Sequence, residues 1–160
     1  MAQKEDIPGK EKMTVDIAIR QAPEVCYRFW RNFKNLPHCM SHLDSVEEID
    51  RLRSHWIVEG PADTTLEWDA EILEDVPNKK IRWHSLKGAE MDNEGSVSFV
   101  PRKDGGTQLK VVLTYRMPLG KLGDAFARLF GESPEKQLED DLEGFKSMIE
   151  KSPSGRVEEV

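Results

Sequence analysis

His38 and His42 stand four residues apart, the spacing at which two imidazoles on one helical turn can hold a metal ion. The zinc-protease pattern built on that spacing puts a glutamate directly after the first histidine, to act as general base. Here that position is Cys39. Cys39 or Asp44 would have to supply a third ligand, and neither stands at a convincing spacing, so no metal is expected. The two histidines read as loop or surface residues. His84 alternates outward from Trp83, and His55 stands similarly beside Trp56, which places both on a solvent face. Nucleophilic chemistry finds little support. Cys26 falls on the apolar side of a short helical stretch, where a thiol behaves as a small hydrophobe. Cys39 is expected to be more exposed, but no dedicated base accompanies it. There is no Gly-x-Ser-x-Gly elbow and no phosphate-binding loop. The run Glu139, Asp140, Asp141 with Glu143 reads as the wet face of a helix.

The elements that would position a site begin with the C-terminal stretch. Leu119, Leu122, Phe126, Leu129 and Phe130 recur at helical spacing, and so do Leu138, Leu142, Phe145 and Ile149. Between the two series, Gly131 suits a helix end, Ser133 an N-cap and Pro134 a first helical position. The pattern predicts one long helix over Leu119 to Lys151, kinked or interrupted at Gly131 to Ser133. Its second part, at ~1.5 Å rise per residue, would be roughly 27 Å long. A rod of that length with one apolar side must cover a wide surface.

The preceding chain supplies such a surface. Met13, Val15, Ile17 and Ile19 alternate with polar residues, as in a half-buried strand. Pro23 opens a short helix with Val25, Cys26, Phe29, Trp30 and Phe33 on one side. Asn35-Leu36-Pro37 is expected to break it, with a second helical turn from His38 to His42. His42 to Arg51 is irregular enough to require a bulge. Ser54 to Gly60 turns Trp56 and Val58 to one face, and Gly60 to Asp63 is a turn. Thr64 to Val76 is the cleanest strand, with Leu66, Trp68, Ala70 and Ile72 opposite Thr65, Glu67, Asp69 and Glu71. Lys80 to Leu86 carries Ile81 and Trp83 inward, and Asn93 to Arg102 carries Val97 and Phe99. After the hairpin signal Asp104-Gly105-Gly106, Thr107 to Met117 carries Leu109, Val111, Leu113 and Tyr115 inward. Residues 1–11 read as a mobile leader and 152–160 as a polar tail. The order is strand, two short helices, about six antiparallel strands, then a long helix. Short turns favour a meander, and a curved sheet gripped by the last helix leaves a cavity between them.

Composition bounds the partners. A chain of 160 residues suits one domain. It carries 30 acidic and 23 basic side chains, a net charge of −7, which argues against nucleic acid or an anionic membrane surface as the main partner. Hydrophobic content is 38%, and no run approaches the roughly 18 apolar residues of a membrane span. The first residues lack the apolar core of a secretory signal, and two cysteines make no disulfide framework, so a reducing cytoplasm is the expected compartment.

The segments Arg28 to Met40, Ser54-His55-Trp56, Glu67 to Glu71 and Gly95 to Phe99 resemble the polyketide cyclase/dehydrase and coenzyme Q-binding START-like family. That family lies within the SRPBCC, or Bet v 1-like, helix-grip superfamily. The resemblance spans Lys12 to Lys151. It implies an α+β helix-grip fold: a curved antiparallel sheet of six or seven strands, two short helices, and a long C-terminal helix enclosing a hydrophobic cavity. Carried onto matching positions, it implies a lining that includes Trp30, Phe33, Leu36, Met40, Trp56, Trp68, Trp83, Phe99, Tyr115, Phe126, Phe130 and Phe145. The superfamily includes lipid and quinone carriers, hormone binders and aromatase/cyclases with no shared catalytic motif, so no catalytic residue carries over.

Two functions follow as expectations. The leading one is binding of an apolar small molecule, such as a lipid, quinone or polyketide-like aromatic, without a cofactor. His38, His42 or Arg116 would orient its polar head, and transient membrane contact stays open. The alternative is a cyclase or dehydrase acting on a ligand held in the same cavity. The Gly120–Gly123 region and the break near Gly131 are expected to gate the cavity.

Overall fold

The computed structural model describes residues 10–41, 43–59, 65–116 and 134–152. The expectations placed on His42, on the turn at 60–63, on Phe126 and Phe130, on Gly120, Gly123 and Gly131, and on most of the leader and tail lie outside those residues.

Strand β1 (Lys10–Ile19) leads into helix α1 (Pro23–Arg31), a 3-10 helix (Phe33–His38), and then β2 (Leu43–Glu48), β3 (Arg53–Glu59), β4 (Thr65–Val76), β5 (Lys80–Ser85), β6 (Asn93–Pro101) and β7 (Thr107–Arg116). Helix α2 (Pro134–Glu150) follows. The strands form one antiparallel sheet in the order β1-β7-β6-β5-β4-β3-β2. Strands β2 to β7 are thus a meander, and β1 returns to pair with β7 through Val15 and Val111. Register shifts between Leu43 and Ser45 and between Ile72 and Glu74 mark bulges. Bulges bend a strand and add to its right-handed twist, which is how an open sheet comes to curve around a helix.

The alternation read from sequence sets the two faces. Leu66, Trp68, Ala70 and Ile72 are buried, while Glu67 and Asp69 between them are exposed. The inner face then needs a cover, and α2 supplies it with Leu138, Leu142, Phe145 and Ile149, all buried. The C-terminal end of α2 is pinned to the β1–α1 connection. Lys146 Nζ donates to the Ala18 carbonyl at 2.8 Å, the Arg20 amide donates to Glu150 Oε2 at 2.8 Å, and Gln21 Nε2 donates to the Ile149 and Ser152 carbonyls. Lys146 Nζ also donates to Glu150 Oε2 at 2.7 Å, and that bond first, then the one from the Arg20 amide, holds the Glu150 carboxyl below its ordinary pKa. Near the other end, Gln137 and Asp141 meet Ser41, in the loop after the 3-10 helix.

One local reading changes. The segment Asn35-Leu36-Pro37 does not interrupt the helical chain but lies inside the 3-10 helix, which starts at Phe33 and ends at His38. The turns bond the Asn35 amide to the Asn32 carbonyl and the Cys39 amide to the Leu36 carbonyl, so the missing N–H of Pro37 is not needed. Helix α1 has no side-chain cap; Pro23 occupies its first turn. Its outer side is tied to β4 instead, where Tyr27 Oη donates to Asp75 Oδ1 at 2.5 Å and Arg31 Nε donates to Asp75 Oδ2 at 2.7 Å.

Candidate functional site

The apolar faces of the sheet and α2 do not close onto each other completely. A cavity of about 160 Å³ remains between them, roughly ten times the volume one water needs by the same kind of measure. Its wall takes Met13 from β1, Trp56 and Val58 from β3, Trp68 from β4, Trp83 from β5, and Val111, Leu113 and Tyr115 from β7. Trp30 of α1, Leu36 and Met40 come from the side, and Pro134, Gln137, Leu138 and Asp141 from the first turns of α2. Alternation explains the strand contributions: inward residues two apart on neighbouring strands face one space.

Of the side chains the resemblance put on the lining, Trp30, Leu36, Met40, Trp56, Trp68, Trp83 and Tyr115 border this cavity. Phe33, Phe99 and Phe145 do not. Phe33 stands edge-on to Trp56 and Trp83 at 5.4 Å from each, behind the wall. Phe99 meets Tyr27 of α1 edge-on at 5.9 Å, and Phe145 packs on Phe29 at 5.1 Å and Trp30 at 6.0 Å. All three are core side chains that support the wall.

The wall is aromatic along one line. Trp68 and Trp56 are 6.2 Å apart with planes 16° from parallel, Trp56 and Trp83 6.4 Å and 18°, Trp83 and Trp30 6.4 Å and 29°. Trp56 Nε1 donates to Ser54 Oγ at 2.8 Å, which fixes that indole. The Trp30 and Trp68 N–H groups have no acceptor among the described residues, a burial cost that the packing of both rings must offset.

Polar groups gather at one rim. Asn93 of β6 and Gln137 and Asp141 of α2 border the cavity; Glu94 and Thr114 also touch it, but they pair with each other in the register of outward His84, so their side chains face the outer side of the sheet. Asp141 was expected on the wet face of its helix. It lies three residues from Leu138 and accepts from Gln137 Nε2 at 3.0 Å and Ser41 Oγ at 3.3 Å, which turns it toward the rim. Burial raises the pKa of Tyr115, so its phenol stays protonated at neutral pH. Of the polar groups expected to orient a ligand, the two among the described residues are elsewhere. His38 is exposed and Arg116 reaches toward Asp92 at 4.0 Å, and neither borders the cavity.

Neither thiol is poised for chemistry. Cys26 is fully buried, with Sγ 3.8 Å from Thr107 Oγ1, and burial pushes its pKa up to about 11. Cys39 was expected to be exposed but packs against the core, its Sγ directed at the Leu36 carbonyl; burial pushes it up to about 12. A thiol held protonated is a poor nucleophile.

On the opposite, outer face, His55 sits between two carboxylates of β4, with Nδ1 2.7 Å from Asp69 Oδ1 and Nε2 2.9 Å from Glu67 Oε1. The register that pairs His55 with Asp69 makes this contact. Hydrogen bonds to Asp69 first and Glu67 second raise the His55 pKa. A raised pKa means the folded chain binds the proton more tightly than the unfolded chain. The stabilisation is fully present below the unfolded value, about 6.5, and fades as pH rises through the folded value. His55→Gln is therefore expected to lose the most stability relative to wild type near pH 5.5, and progressively less toward pH 9. Urea unfolding across that range checks it; a pH-independent difference would mean the imidazolium is not what stabilises. Among the described residues no group of three or more His, Cys, Asp or Glu side chains is arranged to hold a metal ion. No helix among them is long and apolar enough to cross a membrane.

Comparison with known proteins places this geometry. A family model described as polyketide cyclase/dehydrase and lipid transport matches residues 19–143. A crystal structure of a Deinococcus radiodurans protein is similar at 39% identity and a TM-score of 0.72, covering 88% of this chain and 97% of that one. A START superfamily protein from Mycobacterium smegmatis is similar in fold at 18% identity and a TM-score of 0.64, over 85% of this chain and 97% of that one. The Zhui aromatase/cyclase of a Streptomyces species shares the fold at 11% identity and a TM-score of 0.68, over 89% of this chain and 94% of that one.

Proposed function

This chain belongs to the polyketide cyclase/dehydrase and lipid transport family, and from that premise we propose that it binds an apolar small molecule in the cavity between sheet and α2. The observation that carries the reading is the wall itself. Four indoles and a set of aliphatic and thioether side chains enclose a space that the core leaves unfilled. A ligand entering it would exchange water contact for apolar contact at roughly 25 cal/mol per Å² buried, before association costs. The fold is one that encloses hydrophobic ligands, and its likeness to an aromatase/cyclase adds no catalytic residue at 11% identity.

A second reading, a cyclase or dehydrase, has one observation in its favour: Tyr115 and Asp141 border the same space and could move a proton on a bound chain. Binding leads, because the wall is apolar over most of its extent and the thiols are inert.

Titration of the full chain with a neutral fluorescent naphthylamine tests the proposal. Saturable uptake with one equivalent of probe, accompanied by quenching of tryptophan emission, is expected. Weak non-saturating uptake, with tryptophan emission unchanged, would refute it.

A further inference from the structure

Strand β1 ends the sheet on one side, and its outer edge is closed at one end and open along the rest. In an antiparallel ladder a residue turns its amide and carbonyl to the same side, and successive residues alternate. The Arg116 amide of β7 donates to the Asp92 carbonyl, on the β6 side, so the odd-numbered residues of β7 turn toward β1. They pair with odd-numbered residues there, Val111 with Val15 and Leu113 with Met13. The even-numbered residues of β1 therefore turn their main-chain groups to the outer edge. At the C-terminal end α2 takes them: Lys146 Nζ donates to the Ala18 carbonyl and the Arg20 amide donates to Glu150 Oε2, each at 2.8 Å. Lys12, Thr14 and Asp16 are exposed, and among the described residues no strand lies beside them except β7. Such a run of edge amides and carbonyls is a template for another strand.

The side chains say which strand fits. Lys12 and Asp16 stand two residues to either side of Thr14, on the outer face of the sheet. A second copy laid antiparallel, with a two-fold axis through the Thr14 pair, sets Lys12 opposite Asp16 of the second copy and Asp16 opposite its Lys12. Each even-numbered pair then exchanges main-chain hydrogen bonds, and unlike charges face each other on both sides of the axis. On the inner face Met13 meets Val15 of the second copy. A lysine on an edge strand ordinarily discourages pairing; this symmetry turns it into an attractive contact. An axis on Lys12 or on Asp16 would set like charges together, which disfavours those registers. The edge is thus complementary to itself, as a two-fold interface requires.

We propose that two copies of this chain pair through the open edges of β1, over Lys12 to Asp16, and so join their sheets into one. The bonds from Lys146 and Glu150 stop the pairing at Ala18. So short a contact falls below the size of a standard stable interface, and the dimer is correspondingly weak.

Sedimentation velocity of the full chain tests this. A dimer population growing between about 10 μM and about 500 μM is expected. Lys12→Glu makes the edge wholly acidic and Asp16→Lys makes it wholly basic, so each variant alone is expected to self-associate about tenfold or more weakly. An equimolar mixture of the two is expected to regain the dimer, because each edge then meets its opposite. Thr14→Pro removes an edge amide without touching the β7 ladder and is expected to be monomeric; far-ultraviolet circular dichroism checks that each variant is folded. Should either charge variant fail to fold, Thr14→Pro decides. A wild-type chain that stays monomeric throughout overturns the proposal. So does a dimer that withstands all three substitutions, or a mixture of the charge variants that stays monomeric.

Discussion

Phe145→Ala is expected to lose about 3–5 kcal/mol of folding stability while its affinity for a neutral naphthalene probe stays within about twofold of wild type. Phe145 is fully buried on α2. Its ring packs against Phe29 and Trp30, on the side of Trp30 that belongs to the core, and it does not border the cavity. Truncating it removes transfer energy and leaves a void that the neighbouring rings only partly refill. Urea unfolding and a probe titration on the same preparation separate the two effects. A tenfold loss of affinity in a folded variant would put Phe145 on the binding wall, where the family resemblance first placed it.

Gly95→Ala is expected to act in the other direction, on the wall as much as on stability. Gly95 of β6 pairs with Trp83 of β5 on one side and Leu113 of β7 on the other. A methyl group there would stand 2.5 Å from Trp83 Cζ2 and 2.8 Å from Leu113 Cδ2, far inside contact distance. The backbone conformation does not demand glycine; the indole lying across it does. Trp83 is held by Trp56, Trp30 and Phe33 and borders the cavity, so the added methyl is expected to push the ring toward that space. Overpacking of this kind costs about 1–3 kcal/mol. Probe affinity should fall by about tenfold, since 1.4 kcal/mol is a factor of ten and the displaced ring occupies ligand space. Near-ultraviolet circular dichroism should change with it, because the indole series is disturbed. Unchanged affinity and an unchanged tryptophan spectrum would mean that Trp83 yields elsewhere and does not shape the cavity.

These two residues also show what the sequence could and could not reveal. The sheet was legible because its strands alternate: Leu66, Trp68, Ala70 and Ile72 are buried where the period of two puts them. The C-terminal helix was legible because Leu138, Leu142, Phe145 and Ile149 keep helical spacing. Facing inward, however, is not the same as facing the void. Phe99 and Val111 are both inward-facing, yet Phe99 meets Tyr27 while Val111 borders the cavity. That distinction depends on where α1 and α2 cross the sheet, which no strand period encodes. Asp141 was misjudged for a related reason: its position on the edge between the wet and buried sides of α2 is decided by the loop at Ser41, a hundred residues away in sequence. The pairing of His55 with Asp69 and Glu67 required a cross-strand register that composition cannot supply. Cys39 looked exposed because a 3-10 helix continuing through Pro37 was not anticipated.

The central claim, an unfilled apolar space beneath α2 that takes up a ligand, is tested most directly by crystallography of the full chain soaked with a neutral bromonaphthalene. An anomalous bromine peak among Trp56, Trp83 and Leu138 is predicted. Bromine found only on the outer surface, with well-ordered side chains closing the space between those three residues, would contradict it.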